Sequence, residues 1–213
     1  MSGYERAKRI VDVGASALIL VVTAPVQLVV AGAVLADVGR PVLFRQARPG
    51  KDAKVFELVK FRTMRRADAT LVTDAERLTR LGRFLRSTSL DELPTLWNVL
   101  RGEMSLVGPR PLLVEYLERY TPEQARRHEV VPGVTGLAQV SGRNNLSWDD
   151  KLALDVYYVD HRTPGLDVSI LVRTLGQVIR RSGVSADGHA TAPTFTGSAP
   201  TVTGSASGEG GEA

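Results

Sequence analysis

The chain has 213 residues, 43% hydrophobic and 23% charged, with Lys+Arg 27 against Asp+Glu 23 and a net charge of +4. That is enough for one domain with a real core and hardly for two. With no cysteine and only His128, His161 and His189, it excludes disulfides, thiolate zinc sites, iron–sulfur clusters, a cysteine nucleophile and a histidine-rich metal centre.

Chemistry must therefore come from carboxylates, basic side chains, hydroxyls and backbone. The mild positive charge suits nucleic acid, anionic lipid and phosphorylated small molecules alike.

No charged residue occurs over residues 13–36. At ~1.5 Å per residue, a helix of that length spans a hydrocarbon core of ~30 Å. The run is too long for a signal peptide and lacks a small-residue cleavage site. Pro25 lies at its centre, where it removes a backbone donor and predicts a kink. Each half then reaches only about 18 Å, too short to cross alone. Arg6, Lys8 and Arg9 precede the run, and Arg40, Arg45, Arg48, Lys51 and Lys54 follow it. Positive flanks mark the cytoplasmic side, so both ends favour the same side. A re-entrant hairpin broken at Pro25 satisfies this, and so far as these residues go a Pro-kinked single crossing stays open beside it.

Residues 42–46 and 54–61 are predicted strands. Residues 74–86, with Leu78, Leu81, Phe84 and Leu85 on one face, read as an amphipathic helix despite Gly82. A second helix over 92–100 is closed by Gly102. Residues 112–120 and 123–130 are further helical pieces, the latter with Pro122 at its start. Ser147 caps a helix over 148–160 that Pro164 halts. Residues 166–181 carry an apolar stripe of Leu166, Ile170, Leu171, Leu175, Val178 and Ile179, suited to a core or to a lipid surface. From Ser185 the chain turns to Gly, Ser, Thr, Ala and Pro, a composition expected to stay without fold or chemistry.

The densest polar signal is Arg83–Phe84–Leu85–Arg86–Ser87–Thr88–Ser89–Leu90–Asp91–Glu92–Leu93–Pro94. Pro94 belongs in a first helical turn, which starts the helix near Asp91. Asp91 and Glu92 would then lie at a helix N-terminus, where the dipole keeps a carboxylate ionised and free N–H groups take phosphate. An ionised carboxylate beside a phosphate pocket is what nucleophilic attack on phosphorus requires, with a cation and arginines such as Arg83 and Arg86 offsetting the repulsion. The competing reading is a capping box, Glu92 bonding back to Ser89. In Gly108–Pro109–Arg110–Pro111 two prolines bracket Arg110, which could project as a rigid phosphate fork or stand in an ordinary turn. In Lys60–Phe61–Arg62–Thr63–Met64, Lys60 and Arg62 share one strand face, as substrate contacts or as a solvated edge. The glycines of residues 132–143 could wrap a ligand or serve a structural loop. Asp155, Tyr157 and Asp160 are candidate metal or sugar ligands, or plain solvated positions.

Together these blocks resemble the bacterial sugar transferase family, the small monotopic polyprenyl-phosphate phosphoglycosyl transferases. The resemblance covers roughly residues 1–184. It rests on Lys8-Arg9-x-x-Asp12, the apolar run with Pro25, and the blocks at residues 60–64, 88–96, 104–112 and 132–160, in that order. It implies an α+β, mostly helical fold in three parts. Residues 1–40 form a re-entrant membrane helix hairpin. Residues 41–184 form a compact cytoplasmic catalytic domain with a small sheet and surface amphipathic helices. Residues 185–213 form a disordered tail.

The resemblance further implies that Asp91 attacks the β-phosphate of a UDP-sugar, displaces UMP, and passes the phosphosugar to a polyprenyl phosphate. Mg2+ or another divalent cation is expected on Asp91, with Glu92 managing the acceptor's proton. Arg110 and Pro111 correspond to the phosphate-binding turn, while Lys60, Arg62, Arg86, Gln139 and Arg143 are expected around the pocket. Membrane lipid is an expected partner, a homo-oligomer is compatible, and the catalytic domain is expected on the cytoplasmic face of the cell membrane. Ala24 stands before Pro25 where the family often has serine, and the tail lies outside the family pattern. A nucleic-acid binder is disfavoured because the arginines do not form a stripe interleaved with aromatics. A hydrolase with water as acceptor and an inactive assembly partner remain the rivals.

Overall fold

The computed structural model describes residues 3–67, 71–142, 146–180 and 194–197. Helix α1 (Gly3–Asp37) runs unbroken through Pro25, so the two separate helices of the expected hairpin are not seen. Its apolar stretch has a mean hydropathy of 2.5 and is long enough to cross a membrane.

Both ends of α1 nevertheless pack on the same globular body. Near the N-terminus, the buried Asp12 carboxylate accepts from Ser105 Oγ (2.7 Å) and the Leu106 N–H (3.2 Å). Arg9 donates to the carbonyls of Val99 (2.5 Å) and Leu100 (2.9 Å), and Lys8 pairs with Asp167 at 3.0 Å. Leu20 joins the main core with Leu96, Val99 and Met104. Further along, Val30 and Val34 join a second core with Phe61 and Leu85. Between them, over residues 21–29, no residue is buried, and Pro25 is the midpoint of that stretch. Gln27 donates to Thr23 Oγ1 (3.0 Å), which donates to the Ile19 carbonyl (2.6 Å). These two bonds place polar contacts beside Pro25 that Ala24 cannot make.

Strands β1 (Leu43–Pro49) and β2 (Val55–Phe61) form the expected antiparallel hairpin, Leu43 opposite Phe61 and Pro49 opposite Val55. The predicted helix over 74–86 is two: α2 (Asp74–Arg77) and α3 (Arg80–Ser87). Thr73 caps the first in a full capping box and Thr79 accepts from Gly82 N at the start of the second, so two caps outcompete one continuous helix. Phe84 is exposed rather than on the buried face. A Cβ on Gly82 would lie 2.0 Å from the Thr63 carbonyl oxygen, so the glycine is required by close approach.

A 3-10 turn (Leu90–Thr95) leads into α4 (Leu96–Arg101), which Gly102 ends at φ +85° as expected. Two side chains fasten this unit to β2. Asn98 accepts from the Val59 N–H (3.1 Å) and donates to the Glu57 carbonyl (2.7 Å), and Thr95 Oγ1 donates to the Val59 carbonyl (2.9 Å). Strand β3 (Ser105–Val107) pairs in parallel with β4 (Gly133–Thr135). Between them lie a 3-10 turn (Val114–Arg119), α5 (Pro122–Ala125) and a second 3-10 turn (Arg126–Glu129). Helix α6 (Leu137–Ser141) follows, then α7 (Trp148–His161), capped by Ser147 as expected, and α8 (Pro164–Arg180).

On α8 only Ile170 of the expected stripe is buried; Val168, Leu171, Val172, Leu175 and Ile179 face outward. In the stretch expected to have no fold, Phe195 is 1% exposed among Tyr116, Tyr120 and Trp148. One large aromatic buries enough area to order its neighbours despite the composition around it.

Candidate active site

The 3-10 turn holds the dyad against β2. Asp91 is 5% exposed. The capping box foreseen at Ser89 is absent: Ser89 is left-handed (φ 56°, ψ 17°) and makes no side-chain cap bond. A six-residue 3-10 turn also carries little macrodipole, so the sequence argument for an ionised Asp91 does not hold. Burial and the adjacent Glu92 instead push the Asp91 carboxyl up to about 6, against the pull of Lys60, Arg86 and Arg110. Those three cations, rather than a helix end, hold the charge. At neutral pH the ionised form still predominates.

Each cation arrives on a different element. Lys60 comes from β2, with its Nζ 5.4 Å from the centre of the Phe44 ring. Burial lowers its affinity for a proton while Asp91 and Glu92 oppose that change. Arg86 lies in the last turn of α3 and donates from Nε to Thr63 Oγ1 at 3.0 Å; burial lowers it too, again opposed by Asp91. Arg110, half exposed, donates to Glu92 Oε1 at 2.7 Å, and Glu92 holds it above the ordinary guanidinium range.

The Gly108–Pro111 turn is fixed from beneath. Gly108 N–H donates to the Thr135 carbonyl (2.9 Å) and Gly133 N–H to the Pro109 carbonyl (3.0 Å). A Cβ on Gly108, Gly133 or Gly136 would meet backbone at 2.6, 2.1 or 2.2 Å. These glycines serve backbone-to-backbone packing, so the structural reading of residues 132–136 wins over the ligand-wrapping one. The carbonyl of buried Pro111 accepts from Arg48 (3.3 Å) and that of Arg110 from Arg127 (2.6 Å).

Not every expected residue converges. Arg62 is buried, but its guanidinium donates to the Met64 (3.1 Å) and Arg40 (3.0 Å) carbonyls. It fastens the chain leaving α1 rather than the pocket, because the strand ends at Phe61 and the backbone turns away. Gln139, on α6, donates to the carbonyl of Val134 on the preceding strand β4 (3.1 Å). Arg143 lies outside the described residues. Asp155 forms a buried pair with Arg127 (2.6 Å), Asp160 pairs with Arg126, and Tyr157 stacks on His161 at 4.0 Å. Sequence reasoning missed Arg127, which sits in a basic run that looks like solvated surface.

Comparison with known proteins bears on this geometry. Residues 3–181 match the family described as bacterial sugar transferase. The uncharacterized sugar transferase EpsL of Bacillus subtilis is 49% identical over 194 residues, 90% of this chain and 96% of that protein. The undecaprenyl-phosphate galactose phosphotransferase of Salmonella typhimurium is 40% identical over 197 residues, 83% of this chain and 41% of that protein. The UDP-glucose:undecaprenyl-phosphate glucose-1-phosphate transferase of Caulobacter vibrioides is 40% identical over 185 residues, 81% of this chain and 69% of that protein. The chain thus spans nearly all of the first relative and about two fifths of the second.

Proposed function

The chain belongs to the bacterial sugar transferase family, and we propose that it is a phosphoglycosyl transferase moving a phosphosugar from a UDP-sugar to a polyprenyl phosphate, as an early membrane step of glycan or exopolysaccharide assembly. The observation that carries this reading is a buried Asp91 under the pull of Lys60, Arg86 and Arg110. Burial leaves this carboxylate more basic and less solvated than one in water, which favours attack on phosphorus, and the three cations match a diphosphate.

An Asp91 oxygen attacks the β-phosphorus; the bond from that phosphorus to the bridging oxygen breaks, and its electron pair leaves with UMP. The sugar phosphate is then held on Asp91 as an acyl phosphate. A polyprenyl phosphate oxygen attacks the same phosphorus, releasing the carboxylate and forming a polyprenyl diphosphate sugar. Glu92 takes the proton of a monoprotonated acceptor. Arg110 binds phosphate oxygens, moving off Glu92 as substrate enters.

Among the described residues no group of three or more His, Asp or Glu could hold a metal by itself. Asp91, with Glu92 beside it, would hold a magnesium ion through carboxylate oxygen. Bound there, Mg2+ would neutralise diphosphate charge.

Assay of UMP release from a panel of UDP-sugars, with and without polyprenyl phosphate, tests the reaction. The transferase reading expects acceptor-dependent turnover with ping-pong kinetics. Release without acceptor at the same rate would instead make the chain a hydrolase. For the phosphate grip, Arg110→Lys is expected to raise KM for the nucleotide-sugar by about ten-fold or more, since an ammonium cannot make the bidentate contact. An unchanged KM would remove Arg110 from the substrate.

We further infer that α1 enters a single leaflet, bending near Pro25, and leaves the body on the cytoplasmic face. Support comes from the packing of both its ends on one body, because a crossing helix would carry one end away. The outward apolar row on α8 suits the lipid interface. Cysteines placed at Ser2 and Arg45 should then react with an impermeant thiol reagent from the same side of inverted vesicles. Labelling from opposite sides would establish a crossing helix.

A further inference from the structure

Phe195 reaches its cup from far outside the catalytic elements. Its ring stacks on Tyr120 (centroids 5.7 Å, 26° between planes), meets the edge of Tyr116 (5.5 Å) and tilts against Trp148 (5.4 Å). The backbone is gripped as well. The Phe195 N–H donates to the Tyr116 hydroxyl (3.1 Å), and Arg119 donates to the Phe195 carbonyl. Three aromatic contacts and two main-chain bonds on one residue describe a built site. Such a site is more than a chain end lying on a surface.

The cup is continuous with the active site. Leu112 and Leu113, which follow Pro111 directly, line the same cluster. Tyr120 presents its ring to the Arg127 guanidinium (5.7 Å) and its hydroxyl accepts from Arg127 NH1 (3.3 Å). Arg127 in turn donates to the Arg110 carbonyl (2.6 Å), and Arg110 meets Glu92. Four consecutive contacts therefore link Phe195 to the dyad.

We propose that residues 194–197 are an intramolecular docking segment, with Phe195 a positioning residue that sets Arg110 through Tyr120 and Arg127. The consequence for turnover rests on the transferase reading above, but the docking itself does not. With the ring removed, Tyr120 and Leu112–Leu113 lose a packing wall, and the turn carrying Arg110 gains freedom it must lose again on binding substrate.

Four forms of the full membrane protein decide this: the unaltered chain, Phe195→Ala, Phe195→Leu, and a chain ending at residue 184. Docking is read from Trp148 emission in a Trp97→Phe background. Arg110 is read from its rate of modification by phenylglyoxal, located by peptide mass spectrometry. Phe195→Ala and the short chain should shift Trp148 emission to the red and speed Arg110 modification about three-fold or more, with Phe195→Leu between them and the unaltered chain. KM for the nucleotide-sugar should rise by about three- to ten-fold in the first two, with kcat within about two-fold. A peptide of residues 190–200 added to the short chain should reverse all three changes, and the same peptide with alanine at 195 should not. If the short chain does not fold, Phe195→Ala in the full chain gives the answer.

Emission indifferent to the tail would overturn docking, and altered emission with unaltered Arg110 modification would overturn the positioning role. A chain that releases no UMP in any form counts against the transferase reading instead, since emission and modification are read without turnover.

Discussion

Asp91→Asn is expected to lose UMP release by about 10^4-fold or more and to gain thermal stability at the same time. Both effects come from one placement. In the proposed mechanism the carboxylate is the attacking group, and an amide of the same shape has no charge with which to form the acyl phosphate. Burial and Glu92 raise the native carboxyl to about 6 from an ordinary 3.8, so the folded state holds its proton more tightly than the unfolded chain does. Between about pH 4 and 6 the native form binds more protons, and stability falls as pH rises through that window. Above it the full penalty of a buried charge is present, on the order of 1–3 kcal/mol.

Asparagine removes that penalty, so its unfolding midpoint should rise by several degrees at pH 7.5 and by little at pH 4. In the unaltered chain, kcat/KM should decline below an apparent pKa of about 6, as the nucleophile protonates. Wild-type turnover by the Asn variant would end the covalent mechanism. A variant inactive but less stable would mean that Asp91 serves the fold.

The second large effect is expected at a residue that touches no substrate. Arg127 and Asp155 are 1% and 5% exposed, and Asp155 receives both Nε (3.0 Å) and NH2 (2.6 Å) of the guanidinium. Arg127→Ala leaves a buried carboxylate without its guanidinium partner and should cost about 3–5 kcal/mol in urea unfolding. Burial raises Asp155 in spite of its partner, a sign that desolvation exceeds what the pair returns. The double replacement Arg127→Met with Asp155→Leu should therefore recover most or all of the stability. It should not recover activity, because the Arg110 carbonyl and the Tyr120 hydroxyl both lose their donor. Full activity in the double variant would show that the guanidinium serves folding alone.

Much of this molecule was legible in the sequence where a local signal is strong. The apolar run of α1, the hairpin of β1 and β2, the Ser147 cap and the Gly102 stop all follow from periodicity and end residues. Glu92, Lys60, Arg86 and Arg110 lie close enough to Asp91 to act on its charge. The misses share a cause, which is that long-range packing decided them. Three-residue strands such as β3 and β4 carry no periodicity to read. Ser89 looks like a cap, yet its backbone is left-handed and its side chain makes no cap bond. Arg62 shares an alternation with Lys60, but the strand ends between them. The α8 row is apolar at helical spacing, which cannot say whether protein or lipid lies opposite. Phe195 sits in a composition that argues for disorder, and only the cup formed by Tyr116, Tyr120 and Trp148, distant in sequence, overrules it.

Leu90, the residue just before Asp91, packs in the same cluster as Val30 and Val34 of α1. On the proposed topology, with α1 seated in a leaflet, lateral pressure on that helix would be felt one residue away from the Asp91 carboxylate. Turnover should then depend on acyl-chain length in nanodiscs even where circular dichroism reports the same helical content, and micelles would understate it.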